Sequence, residues 1–177
     1  MNTVEDENSK FHTKIIESAH QVERKTWNEC ANFYNDDTNI GNPFLSHEFF
    51  CSLEDSGSVS KETGWISQHI LLSDSNSIVG ILPNFIKNHS WGEYIFDQAF
   101  AQALENAGGK YYPKLLSAVP FSPVPGERFL IKAGYDKQEI IKLLLNALEE
   151  LIKIYKVSSG HINFINKDQI KYFSSEH

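Results

Sequence analysis

The chain has 177 residues, 41% of them apolar and 12% aromatic, and a net charge of −7, enough for one domain with a substantial core and short for two. No apolar run reaches the ~18–20 residues of a membrane span, and the start, Met1-Asn-Thr-Val-Glu-Asp-Glu-Asn8, lacks the basic-then-apolar pattern of a secretory signal. The negative balance argues against non-specific nucleic-acid binding, which needs clustered Lys and Arg.

Residues 1–10 read as a polar tail and 11–177 as a single domain. A short strand is expected over 14–19, around Ile15-Ile16. Between Glu23 and Tyr34, Trp27, Cys30, Ala31 and Tyr34 recur at helical spacing. Asn35–Pro43 is a loop of Asn, Asp, Thr and Gly. Ser46 suits the N-cap of a helix running through Leu53, with Leu45 and Phe50 placed to staple its start and Gly57 as its stop. Trp65–Leu72 and Ile78–Ile86, separated by the turn Asp74-Ser-Asn-Ser77, predict an antiparallel hairpin in which Pro83 marks an edge or a bulge. Asp97 suits the N-cap of a helix over 98–106 that ends at Gly108-Gly109. Leu115–Phe121 predicts a strand, which Phe129-Leu-Ile131 continues or follows. Asp136 caps the longest helix, with Ile140, Ile141, Leu144, Leu148, Leu151, Ile152 and Tyr155 on one side. His161–Ile165 is a last strand, and Lys167–Phe173 starts another helix. This order predicts an α/β (α+β) domain: a mixed, largely antiparallel sheet flanked by helices on both faces, with Leu115–Ile165 as a right-handed β-α-β unit.

Cys30 and Cys51 fall in apolar helical stretches, the pattern of buried thiols in a reducing, cytoplasmic compartment. No histidine pair has metal-ligand spacing, so no metal is expected. The charge is uneven, −10 over residues 1–109 and +3 over 110–177. The basic excess suits either a polyanionic cofactor or solvated lysines on a helix.

Chemistry concentrates between Ser90 and Arg128. Ser90-Trp-Gly-Glu-Tyr-Ile-Phe-Asp97, Ala107-Gly-Gly-Lys-Tyr-Tyr-Pro-Lys114 and Val119-Pro-Phe-Ser-Pro-Val-Pro-Gly-Glu-Arg128 place a charge near each aromatic cluster. Pro120, Pro123 and Pro125 remove ladder donors, which either splays a strand into a cleft or protects a sheet edge. Glu93 and Asp97, four apart, would share one face of a helical turn. They are the candidate base or amine-binding acids, against the plainer roles of surface acid and helix cap. Tyr112 is the third catalytic candidate. In an extended stretch only one of Tyr111 and Tyr112 would face a cleft. Arg128 is placed to bind phosphate or carboxylate, with a structural salt bridge as the alternative. Pro120, Phe121, Gly126 and Lys132 complete the candidate carrier-binding set.

The element order resembles the GNAT acyltransferase fold. Asn42-Pro-Phe-Leu-Ser-His47, Ser56-Gly-Ser-Val59 with Thr63-Gly-Trp65, Lys87-Asn-His-Ser90, Gly92-Glu-Tyr94, Phe96-Asp97, Ala107–Lys114 and Val119-Pro-Phe121 with Pro123-Val124 resemble the N-terminal half of the FemAB-like N-acyltransferase family, over roughly Asn42–Ile165. The resemblance implies transfer of an acyl or aminoacyl group, from acyl-CoA or aminoacyl-tRNA, to a small-molecule or peptide amine, in a bacterial, peptidoglycan-related setting. Two departures stand out. The chain ends at His177 without the family's second half, and the phosphate-cradling Gln/Arg-x-x-Gly-x-Gly/Ala loop is replaced by Lys132-Ala-Gly-Tyr-Asp-Lys137. They motivate an alternative, a non-catalytic truncated module acting in binding or assembly. They also predict an exposed apolar edge that recruits a second-half chain or a second copy.

Overall fold

A computed structural model describes residues 10–33, 41–75 and 77–172. Tyr34, Phe173 and most of the expected loop over 35–43 and tail over 1–10 lie outside the described residues. Along the chain run β1 (His12–Ile16), α1 (Arg24–Cys30), α2 (His47–Asp55), β2 (Trp65–Ser67), β3 (His69–Ser73), β4 (Ile78–Leu82), β5 (Phe85–Lys87), α3 (Gln98–Asn106), β6 (Lys114–Ser117), β7 (Leu130–Ile131), α4 (Lys137–Tyr155), β8 (Gly160–Ile162) and α5 (Lys167–Ile170). One sheet has the antiparallel order β1-β3-β4-β7. The other has the order β2-β5-β6-β8, with β6 and β8 parallel. The mixed α+β class expected from the sequence is the one observed.

A single long hairpin belongs to both sheets. Its outer part, β3 and β4, sits in the first sheet and its inner part, β2 and β5, in the second. The break falls at Pro83, which has no N–H to give a ladder. Asn84 bridges the gap. Its carbonyl accepts from the Gln68 N–H at 2.8 Å, and its side-chain amide donates to the Gln68 carbonyl at 3.2 Å.

The core alternates face by face, as period-2 strands demand. Leu71, Ile81, Leu116 and Leu130 join Trp27, Cys30, Phe50 and Cys51 of α1 and α2. Their sequence neighbours Ile70, Leu72, Leu82, Leu115 and Ile131 join Ile140, Ile141, Leu144 and Leu148 of α4. Helices therefore cover both faces. The caps read from sequence form at two of these helices: Ser46 Oγ accepts from the Phe49 N–H at 3.3 Å, and Asp136 Oδ1 from the Glu139 N–H at 2.8 Å. The expected strand over Leu115–Phe121 is shorter, ending at Ser117.

That shortening opens the strand path. Leu116 pairs with Phe85 and Leu130 with Ile81, so the neighbouring strand crosses with residues 82–84 what this one crosses with 117–129. The proline-rich stretch is the excursion. It is held at its far end by Gly126, whose N–H donates to Phe164 O and whose carbonyl accepts from the Asn166 N–H, both at 3.1 Å.

Candidate functional site

The site is built on two lysines. Lys87 ends β5 and Lys114 begins β6, and the register sets them directly opposite each other. Both are fully buried. Like charges facing across a ladder are destabilising, and buried ammonium groups need partners. The turn after β5 supplies them. Lys114 Nζ donates to Glu93 Oε2 and Asp97 Oδ2, each at 2.8 Å, and to Ser90 Oγ at 3.0 Å. Lys87 Nζ donates to the Trp91 carbonyl at 3.1 Å and lies 3.8 Å from the Trp65 ring centroid, a cation–π distance. Residues 90–97 are thus wrapped around the two ammonium groups.

The tyrosines close the cluster. Tyr111 donates to Asp97 Oδ2 at 2.8 Å, and the Tyr112 and Ser90 hydroxyls lie 2.7 Å apart. Both tyrosines reach in because they precede β6, where strict alternation does not apply. Glu93 and Asp97 likewise meet through a turn, not on the helical face expected from their spacing. Two acceptor atoms are left over: Glu93 Oε1 and Asp97 Oδ1 are buried without a hydrogen-bond partner.

Burial raises the Glu93 pKa above the ordinary carboxylate value, against the pull of Lys114. Asp97 is also penalised by burial, but hydrogen bonds from Lys114, Ser90 and Tyr111 outweigh it and hold its pKa below normal. Burial lowers Lys87 to about 7, with Glu93 opposing and Lys114 adding to the drop. The cluster therefore sets a carboxylate whose neutral form burial favours near an ammonium whose neutral form burial favours, the kind of perturbed pair that functional sites concentrate.

The carrier-binding candidates scatter. Phe121 joins the cluster's rim: its N–H donates to Gly92 O at 3.1 Å and its ring lies 5.4 Å from that of Trp65. Gly92 is required there. It has φ +79°, and a Cβ would sit 2.7 Å from the Phe121 ring. Pro120 is buried beside Phe121. Gly126 packs near Asn42 and the Arg128 guanidinium. Arg128 itself is buried. It donates from Nε to Asn163 O at 2.9 Å, from Nη1 to Glu127 O at 3.0 Å and from Nη2 to Val124 O at 2.6 Å. These contacts make it a staple of the 118–129 excursion, and neither the expected phosphate-facing placement nor the alternative salt bridge describes it. Lys132 lies apart, paired with Glu29 at 2.9 Å.

Sequence reasoning did not select Lys87, Ser90 or Lys114 as site residues. The signal was a lysine at the end of each apolar strand, Phe85-Ile-Lys87 and Lys114-Leu-Leu, where an inward position is as available as an outward one. A second buried polar group, Glu54 with His69, lies under α2. Its ring has no lone pair free for base chemistry. His69 Nδ1 accepts from the Asn84 N–H at 3.1 Å, so the remaining proton is on Nε2, 3.6 Å from Glu54 Oε1. Among the described residues no group of three His, Cys, Asp or Glu is placed to hold a metal, and no helix is long and apolar enough to cross a membrane.

No curated protein and no solved structure matches the chain. A family model does, over residues 18–177: the FemAB-like family, described as peptidoglycan biosynthesis/recognition. That span takes in α1, the split hairpin, the lysine cluster and α4, and the chain belongs to the FemAB-like family.

Proposed function

We propose that this chain is an N-acyltransferase domain that holds an acceptor amine at Glu93 and Asp97 and transfers to it an acyl or aminoacyl group from an activated carrier. The observation that carries the reading is the pair of buried, unpartnered oxygens, Glu93 Oε1 and Asp97 Oδ1. Each leaves an acceptor unmet, at a cost of about 1–3 kcal/mol or more for a charged group, and a primary amine brings the missing donors. Glu93, with its raised pKa, is the better proton acceptor of the two. Glu93 takes the amine's proton as the nitrogen attacks the acyl carbon. The new C–N bond forms, the bond from acyl carbon to carrier breaks, and the carrier leaves with the electron pair. Glu93 and Asp97 are only 2% and 6% exposed, so the site must open for the amine to reach them.

A mass-spectrometric transfer assay tests this, with acyl-CoA and aminoacyl-tRNA as donors and a panel of peptide and small-molecule amines. Glu93→Gln is expected to lower turnover about a hundredfold or more, the scale of a general base. Wild-type turnover in Glu93→Gln sinks the proposal. A second reading, a non-catalytic binding module, draws on Arg128 and Lys132. Two cations suited to a phosphate-bearing carrier are engaged within the chain. Amine binding without turnover from any donor would select it.

A further inference from the structure

A hydroxyl and an imidazole meet at the start of β8. Ser159 Oγ and His161 Nε2 lie 2.8 Å apart, within the reach a nucleophile and its base require. The two residues are separated by one position in an extended stretch, so their side chains share one side of the sheet. Gly160 between them turns to the other side, where a Cβ would come within 2.9 Å of Ile152 of α4. The pair therefore faces away from α4. His161 is in register with Leu116, which packs on the α1 and α2 side of the core, and Lys114 lies two residues before Leu116 on that same side. Ser159 and His161 are half-buried, and β8 is the outer strand of its sheet. The pair is thus open to a ligand while its backbone is fixed, the Ser159 carbonyl accepting from the Leu115 N–H at 2.8 Å.

The surroundings set the direction of the proton. Ser158 donates its hydroxyl to the Tyr111 carbonyl and so presents Ser159 with lone pairs only, at the longer distance of 3.3 Å. The shorter path for the Ser159 proton leads to His161. Burial, with Lys114 adding and Asp97 opposing, holds the His161 pKa below the ordinary histidine value, so the ring is neutral near pH 7. With its one proton on Nδ1, Nε2 has a lone pair for the hydroxyl. His69, whose Nδ1 lone pair is taken by the Asn84 N–H, has none to offer.

Tyr111 ties this pair to the lysine cluster. Its hydroxyl holds Asp97, its carbonyl holds Ser158, and its ring lies 6.0 Å from that of His161. A group carried on Ser159 would stand beside the acids assigned to the amine.

We propose that Ser159, with His161 as its base, takes the acyl group from an activated ester or thioester and holds it as a serine ester. Ser159 Oγ attacks the acyl carbon as His161 Nε2 accepts its proton. The new C–O bond forms, the bond from acyl carbon to the donor breaks, and the leaving group departs with the electron pair and recovers the proton from His161. This rests on the transferase reading and divides its transfer in two, Ser159 being the carrier from which the amine draws the acyl group.

The test uses p-nitrophenyl acetate on the full chain, with acid quench and peptide mass mapping. A burst of nitrophenolate is expected, with an acetyl group on Ser159 that hydroxylamine removes, as it removes esters and leaves acetyl-lysine. Ser159→Ala abolishes the adduct. His161→Gln slows its formation by about a hundredfold or more. Ser158→Ala keeps it, and near-UV circular dichroism checks that each variant folds. In the wild type the rate rises with pH through an ionisation below 6.5, the titration of His161. No ester on Ser159, an ester on Ser158 instead, the wild-type rate in His161→Gln, or a rate that rises only above pH 6.5 overturns the proposal. Adding a primary amine separates it from the transferase reading. An ester on Ser159 that no amine discharges upholds the nucleophile and counts against that reading. Amide product formed by Ser159→Ala at the wild-type rate upholds that reading and overturns the nucleophile.

Discussion

Lys114→Met removes the cation at the centre of the cluster while keeping the length of the side chain. Nζ makes three hydrogen bonds, two to carboxylates at 2.8 Å and one to Ser90 at 3.0 Å. Their loss leaves Glu93 and Asp97 buried without the one cation that bonds both, and removing one member of a buried pair costs about 3–5 kcal/mol. At roughly 2–4 °C per kcal/mol for a chain of this size, the melting temperature falls by about 6–20 °C. The cost lies in the stranded anions more than in the lost bonds. Adding Glu93→Gln and Asp97→Asn to Lys114→Met should therefore restore half or more of the loss. The pH dependence has a definite sign. Without Lys114, burial raises the Glu93 pKa unopposed by its largest counterweight. A raised carboxylate stabilises below its unfolded pKa and loses that contribution as pH rises through the folded value. Lys114→Met should thus be less destabilising near pH 5 than near pH 8. Urea unfolding followed by tryptophan fluorescence at both pH values gives the numbers. A penalty under about 1 kcal/mol, or an equal one in the triple variant, refutes the reasoning.

Lys87 has a folded pKa of about 7, so between there and the ordinary lysine value of 10.5 the unfolded chain binds more protons and stability rises with pH. Lys87→Met should flatten that rise in urea titrations from pH 7 to pH 9. Glu54 is held at about 2, burial being outweighed by the nearby His69 and by hydrogen bonds from Ser18, Ala19 and Ser67. Its contribution is present above pH 4.5 and lost as pH falls toward 2, so Glu54→Gln should cost about 2–3 kcal/mol at pH 7 and little near pH 2. Burial pushes the thiols of Cys30 and Cys51 up to about 12 and about 11, so neither should react with a disulfide reagent before unfolding. Arg128→Met should destabilise the chain by about 2–4 kcal/mol and raise hydrogen exchange across residues 118–129 without altering anion affinity.

What the sequence disclosed follows the range of the interactions. The starts of α2 and α4 were readable because Ser46 and Asp136 bond within their own first turns. The interruption at Pro83 was readable because a missing N–H is a property of the residue itself. The cluster was half readable. Glu93, Asp97 and Tyr112 stand out, but their convergence depends on Lys114, up to 21 residues away, and on the register that sets it opposite Lys87. Asp97 shows the limit. Its local signal for a cap is correct in position, and a tertiary partner takes the side chain. The surroundings of Arg128 are illegible for the same reason, since its acceptors include the Asn163 carbonyl, which only the parallel pairing of β8 brings near.

The most direct measurement is carbon NMR of the side-chain carboxyl groups of Glu93 and Asp97, titrated with pH and then with a primary amine. The account predicts that Glu93 titrates above 4.5 and Asp97 below 3.8. It also predicts that the amine shifts both signals. A Glu93 that titrates at or below the ordinary carboxylate value, with amine-induced shifts elsewhere in the chain, would contradict it.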